Sequence, residues 1–167
     1  VFFRSAEMAP DEEYVYRFSL SRQIRSGKYS QTDYNFEQPS VNLASDDKTD
    51  FFHNLELYDY PGEYKTQGRG KALAKIRMQE AAVYKDVAEG EAACPRFTPC
   101  LTFELDEHGV DSFNAEYMLC RLIHRGVQPQ VLDEHADSSK KFSYANQFFA
   151  IPKDVDFRPE RRAKKPV

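Results

Sequence analysis

Hydrophobic and polar positions are most regular between Leu55 and Glu89. Leu55, Leu57 and Asp59 alternate with Glu56, Tyr58 and Tyr60, the period of two that gives a short strand two unlike faces. Pro61-Gly62 then stops the strand. Proline presets φ for the first central position of a turn, and a type II turn would set Gly62 at positive φ. Gly68 and Gly70 keep the next residues loose. From Lys71 helix formers dominate, and Leu73, Ile76, Val83 and Val87 make one apolar stripe. That spacing predicts a helix of about 18 residues, ended by Gly90.

Elsewhere the period is mostly two. Tyr14, Tyr16, Phe18 and Leu20 alternate with Val15, Arg17 and Ser19, a strand whose aromatic side is expected to face the core. Ser26-Gly27 marks a turn, and Lys28 to Phe36 follows as a second strand that could pair with the first as a hairpin. The window from Val41 to Asn54 is the least hydrophobic of the chain and reads as a solvated loop. Its run from Ser45 to Asp50 lacks the alternate acids, the glycine and the distant glutamate of a calcium loop. Beyond the helix, Leu101, Phe103 and Leu105 alternate with Thr102 and Glu104, and Asp106 to Gly109 ends that strand. Tyr117 to Arg125 and Phe142 to Ile151 are the remaining strands, separated by the polar stretch from Gln128 to Lys141 and followed by Pro152.

Composition agrees with a β-rich chain. Of its 167 residues 14% are aromatic, 13 Phe and 10 Tyr without Trp, and such rings suit the half-buried surface of a sheet. The length allows one domain or two small ones with a sizeable core. The formal charge of −4 gives no basic excess for phosphate binding, so nucleic acid is not an expected partner. No apolar run approaches the roughly 20 residues of a membrane-spanning helix, and no charged, apolar signal segment stands at Val1. The opening VFFR has the character of mid-strand sequence, as in a piece of something longer.

Candidate chemistry is thin. Three cysteines do not make a disulfide framework. Cys94, Cys100, Cys120 and His124 would be the ligands of a zinc site, with Cys120 and His124 on one face of a strand. However, the Cys94–Cys100 spacing is wider than a zinc knuckle and no second tight pair exists, so the thiols read as buried or idle. His53, His108, His124 and His135 stand in different elements, outside any H-E-x-x-H motif. Gly68, Gly70 and Lys71 lack the Walker spacing and read as a hinge. No G-x-S-x-G elbow occurs.

Three blocks together resemble the VgrG family, the spike proteins of type VI secretion, which are similar to the baseplate-hub proteins of contractile phage tails. The first is FSLSRQIRSGKYSQTDYNFEQPS, with Asp33, Tyr34, Phe36, Pro39 and Ser40 at the family's positions. The second is YDYPGEY, a spacer, and G-x-A-L-A-x-x-R-x-x-E from Gly70 to Glu80. The third is Tyr144, Asn146, Phe148, Ala150, Ile151 and Pro152, then Phe157, Arg158 and Pro159 before a basic tail. Asn114, Glu116 and Tyr117 match a further element. The blocks keep the family's order from Phe18 to Pro159. They depart from it at Thr98-Pro99-Cys100-Leu101-Thr102, which lacks the usual glycine, and at His108-Gly109, where the family has His-Pro.

The resemblance implies an α+β, β-rich, baseplate-hub-like fold with barrel-like antiparallel strands and one main helix. It implies a hub-like strand–turn–helix region over 1–93, a barrel-like tube region over 94–157 and a basic linker over 158–167 leading to a spike domain. The implied function is structural, not enzymatic: a trimeric hub linking an Hcp-like tube ring to the puncturing spike, with effector proteins as further partners. It also implies assembly in the bacterial cytoplasm followed by secretion or delivery into a target cell. The motif residues carried over are Asp59, Tyr60, Pro61, Gly62, Tyr64, Gly70, Asn146, Pro152, Arg158 and Pro159, all structural; no catalytic, cofactor or metal residue follows from it. The reading from a different class is a stand-alone β-rich module that binds polysaccharide or protein through its Tyr-rich faces.

Overall fold

Two sheets divide the strands of this computed structural model, which describes residues 1–3, 13–128 and 142–163. The larger sheet holds β1 (Phe2–Phe3), β2 (Tyr14–Arg22), β6 (Asp86–Ala92), β7 (Thr102–Glu104), β8 (Glu116–Val127) and β9 (Ser143–Pro152). Its order is β1-β2-β6-β9-β8-β7, curled into a half-barrel, with every pair antiparallel except β1–β2. The smaller sheet, in the order β4-β3-β5, comprises β3 (Lys28–Gln31), β4 (Ser45–Lys48) and β5 (Glu56–Asp59), and α1 (Gln67–Ala82) packs on β3 and β4.

The chain forms two compact units. The first takes Val1–Arg22 and Asp86–Asp154, the second Gln23–Lys85 and Val155–Val167. They do not follow the consecutive division at 93 and 157, because β2 and β6 pair across the whole insertion between them. For the same reason β2 and β3 make no hairpin: β2 lies against β1 and β6, whereas β3 lies between β4 and β5.

The core of the first unit is aromatic. Phe97, Phe103, Tyr117 and Phe148 are buried with Val15, Leu105 and Leu119, and Phe103 stands 4.9 Å from Phe97 and 5.4 Å from Phe148, centroid to centroid. Two bulges aim side chains into it. Val15 pairs with Ala92 and Arg17 with Glu91, so Tyr16 is an extra residue and β2 changes face there. Val15 and Phe18, three residues apart, consequently both reach the core, and Tyr14 and Tyr16 stay half-buried instead of forming the expected core face. Cys120 is the extra residue of β8 in the same way, which lets both Leu119 and Leu122 pack inward.

Strand β6 occupies residues that the sequence assigned to the end of the helix. Ala88, Gly90 and Ala92 are its buried face, and side chains so small leave no large apolar alternation to mark a strand. Gly90 has no room for a side chain: a Cβ on it would sit 2.3 Å from Cζ of Phe148 and 2.6 Å from the Arg17 carbonyl oxygen. Helix α1 therefore ends at Ala82, with Val83 as its cap, and Val87 is a strand residue. It also starts four residues before Lys71, through Gly68 and Gly70. Its buried stripe is Gly70, Ala74 and Met78; Leu73 and Ile76 are only half-buried. The window from Val41 to Asn54, expected to be loop, contains β4, whose Ser45 is buried.

Candidate functional site

Motif residues of the first two blocks, with Arg158 and Pro159 from the third, fall within the second unit. Strand β3 continues into the segment 31–35, and the turn after β5 docks on it. The amide of Gly62 donates to the Thr32 carbonyl at 3.0 Å, and that of Tyr64 to Oδ2 of Asp33 at 3.1 Å. The Tyr60–Pro61 peptide is cis and no glycine of the described residues has positive φ; Glu63 does, at 61°. The type II turn with Gly62 in the left-handed region is thus corrected. Gly62 serves a close approach instead. A Cβ there would lie 2.2 Å from Cε1 of Tyr64, and one on Gly70 would lie 2.4 Å from Cε2 of the same ring. Tyr64 is held edge-on between two glycines from different elements, 5% exposed, with its hydroxyl aimed at the carbonyl oxygens of Gln31 and Leu43.

Buried polar groups complete this arrangement. Gln31 donates through Nε2 to the Gly70 carbonyl at 2.9 Å, and Oδ1 of Asn35 accepts the Glu37 amide at 3.0 Å. Each would be costly to leave unpaired in so dry a place. Burial pushes the Tyr64 hydroxyl above its ordinary value.

The segment after β9 returns to α1 as a strap. Gln79 donates to Oδ2 of Asp156 at 2.6 Å and accepts from Nε of Arg158 at 2.9 Å. The Arg161 amide donates to Oε1 of Glu80 at 2.6 Å, and its guanidinium lies 3.4 Å from Oδ2 of Asp59. Beneath this strap is a cavity of about 500 Å³ lined by Tyr29, Leu57, Asp59, Arg77, Glu80 and Arg161, among others. Tyr29 donates to Oδ2 of Asp59 at 3.3 Å; burial first, then the Asp59 carboxylate, push its hydroxyl up to about 12. Arg77 and Glu80 pair one helical turn apart at 2.5 Å.

Of the motif residues, Asp59, Gly62, Tyr64, Gly70 and Arg158 therefore belong to one bonded neighbourhood. Pro61 and Pro159 lie in its loops, and Tyr60 points outward, 58% exposed. Asn146 and Pro152 stand apart, in β9 of the first unit. Asn146 is 1% exposed and donates to the Cys94 carbonyl at 2.8 Å, while Pro152 pairs with Tyr117 across the sheet. Sequence reading passed over Tyr29, Arg77 and Glu80 as site residues, although Arg77 and Glu80 were visible as an i,i+3 pair inside the second block.

The other candidates are dispersed. His53 meets the Thr49 carbonyl; His108 lies 4.3 Å from the Phe3 ring and accepts the Val110 amide at Nδ1; His124 meets the Tyr144 hydroxyl at 2.5 Å. His135 falls outside the described residues, as do most of the polar stretch before β9 and the end of the basic tail. Among the described residues no three of His, Cys, Asp and Glu gather closely enough to hold a metal ion, so the zinc set is not assembled. No helix among them is long and apolar enough to cross a membrane.

Comparison with known proteins gives concordant matches. The family model described as "Phage tail baseplate hub (GPD)" matches residues 1–130. The type VI secretion system spike protein VgrG4b of Pseudomonas aeruginosa is 30% identical over 99% of this chain, and VgrG2a of the same organism 31% over 87%. The actin cross-linking toxin VgrG1 of Vibrio cholerae is 28% identical over 95%. The chain spans only 22%, 18% and 15% of the lengths of these three relatives. Among solved structures, the tail protein from Neisseria meningitidis MC58 superposes with a TM-score of 0.57 at 10% identity, over 92% of this chain and 44% of that one. A chain of the native gene transfer agent virion gives 0.51 at 12% identity, over 89% and 30%.

Proposed function

This chain belongs to the phage tail baseplate hub family, and from that premise we propose that it is the hub segment of a type VI secretion or contractile-tail spike. The observation that carries the reading is the family match over residues 1–130, joined by relatives named as spike proteins along nearly the whole chain. In this reading the segment is structural. Its parent assembles as a homotrimer, the trimer sits on an Hcp-like tube ring and carries the puncturing spike, and effector proteins ride with it. Assembly takes place in the bacterial cytoplasm and delivery follows. Any catalytic activity belongs to other parts of such chains; the match to the Vibrio toxin covers 15% of that protein.

The motif residues take fold-holding roles in this proposal. Asp59, Tyr60, Pro61, Gly62, Tyr64 and Gly70 fix the turn against β3 and α1, Asn146 ties β9 to the Cys94 carbonyl, Pro152 closes that strand, and Arg158 and Pro159 set the path of the strap toward the spike. Light scattering on the parent chain tests the assembly. A stable interface buries about 1,200–2,000 Å², more than a short segment can offer by itself, so the parent is expected as a tight trimer and the isolated 167 residues as a monomer or weak oligomer. A parent that stays monomeric at micromolar concentration overturns the hub reading and puts the stand-alone binding module in its place.

A further inference from the structure

We infer that Cys100 and Cys120 are a built site for a reversible disulfide, closed by thiol–disulfide exchange. The backbone brings them together. The Cys100 amide donates to the Leu119 carbonyl at 2.7 Å, and the Leu119 amide donates to the Leu101 carbonyl at 2.9 Å. Both backbone groups of Leu119 thereby bond the connector that carries Cys100, and Cys120 is the next residue, the extra one of the β8 bulge.

Covalent geometry bounds the separation. The N–Cα bond is about 1.46 Å, and a carbonyl oxygen lies about 2.8 Å from the next Cα across a planar peptide. With the 2.7 Å hydrogen bond between them, the two Cα atoms stand no more than about 7 Å apart, and the bend at the amide brings them inside the roughly 4.4–6.8 Å that a disulfide spans. Cys100 is exposed and adopts a left-handed φ of 70°, while Cys120 is half-buried and Cys94 is buried. Burial, and after it the neighbouring Cys100 sulfur, hold the Cys120 thiol above its ordinary value. Exposure thus makes Cys100 the thiol that reacts first.

The oxidant is a low-molecular-weight disulfide, RSSR. The Cys100 thiolate attacks one sulfur and expels RS⁻, leaving a mixed disulfide. Cys120 gives its proton to solvent, attacks the Cys100 sulfur and expels the second RS⁻. Two protein thiols are oxidised and one RSSR is reduced to two RSH. The bond closes a loop over the connector and fixes it on β8. When it forms rests on the proposed function: a delivered spike leaves a reducing cytosol for an oxidising compartment. The cross-link itself does not depend on that reading.

The test is incubation of the folded chain with oxidised glutathione, alkylation of remaining thiols, digestion without reductant and mass spectrometry. The expected product is a monomer that has lost two hydrogens, with a Cys100–Cys120 linked peptide pair and Cys94 free. Cys94→Ala should leave the link intact. Cys120→Ala should stop the reaction at a glutathione adduct on Cys100, which reads out the first step even if Cys100→Ser folds poorly. A persistent adduct on Cys100 of the unaltered chain, dimers joined through Cys100, or no oxidation at all would overturn the inference. A trimeric parent without the link sinks only the link; a monomeric parent with it sinks only the spike reading.

Discussion

The two units are held by different physics. In the first, rings from β2, β7, β8 and β9 close one apolar core, and the small residues of β6 make room for them. In the second, the buried apolar cluster is Tyr29, Ala74 and Met78, and Gln31, Asn35 and Ser45 are buried beside it. Ile24, Tyr34, Phe36, Leu57, Tyr58 and Tyr60 remain exposed in that unit, between 43% and 72%. A unit built on apolar area tolerates polar change at its surface and fails when a ring is removed. One built on close backbone approach and paired polar groups fails when a single atom is added.

The largest effect expected is therefore in the first unit. Phe148 is 1% exposed and touches rings on several sides, so Phe148→Ala should cost about 3–5 kcal/mol in a denaturant melt. A loss under about 1 kcal/mol would deny that the rings carry the core.

The second unit should show its character at high pH. Tyr29 is held up to about 12 from an ordinary 10. A raised value means that the neutral hydroxyl is favoured by folding, so this contribution is intact below pH 10 and is lost as the pH climbs from 10 toward 12. The loss should be on the order of 2 kcal/mol. Tyr29→Phe should remove that part of the alkaline decline, and an unchanged pH profile would show that burial and the Asp59 carboxylate do not hold the Tyr29 hydroxyl up.

The smaller effects have opposite signs. Gly70→Ala drives a Cβ into the Tyr64 ring and the Ser45 hydroxyl and should cost about 1–3 kcal/mol, although alanine is the better helix former. At Gly68 a Cβ meets nothing within 4 Å, and Gly68→Ala should stabilise by up to about 1 kcal/mol. Equal signs in thermal melts would show that propensity, not the Tyr64 approach, governs both positions.

These same places explain what the sequence could reveal. Strands with large alternating side chains, such as Phe103 and Leu105 or those of β9, were legible, as was the existence of the helix. Strand β6 was not, because its buried face is only Ala88, Gly90 and Ala92, and the ring that forbids a side chain at Gly90 belongs to Phe148, nearly sixty positions away in the chain. The β4 strand was hidden by polar residues whose only apolar support is on one face. The Gly62 motif was visible, but its reason was not: the crowding ring belongs to Tyr64, and the second glycine against it lies in the helix. Bulges at Tyr16 and Cys120 shift faces without any local signal. The strap and the Tyr29 cavity require Asp59, Glu80 and Arg161 to meet, which no local period records.

In the proposed assembly, neighbours in the parent cover the exposed side chains of the second unit, Ile24, Phe36 and Tyr58 among them, whereas the aromatic core of the first is closed within the unit itself. Hydrogen–deuterium exchange on the isolated chain and on the parent measures this directly. The prediction is that β6, β8 and β9 exchange slowly in both, while β3, β5 and α1 exchange faster in the isolated chain and gain protection in the parent. Equal protection of β3, β5 and α1 in the two samples would contradict it.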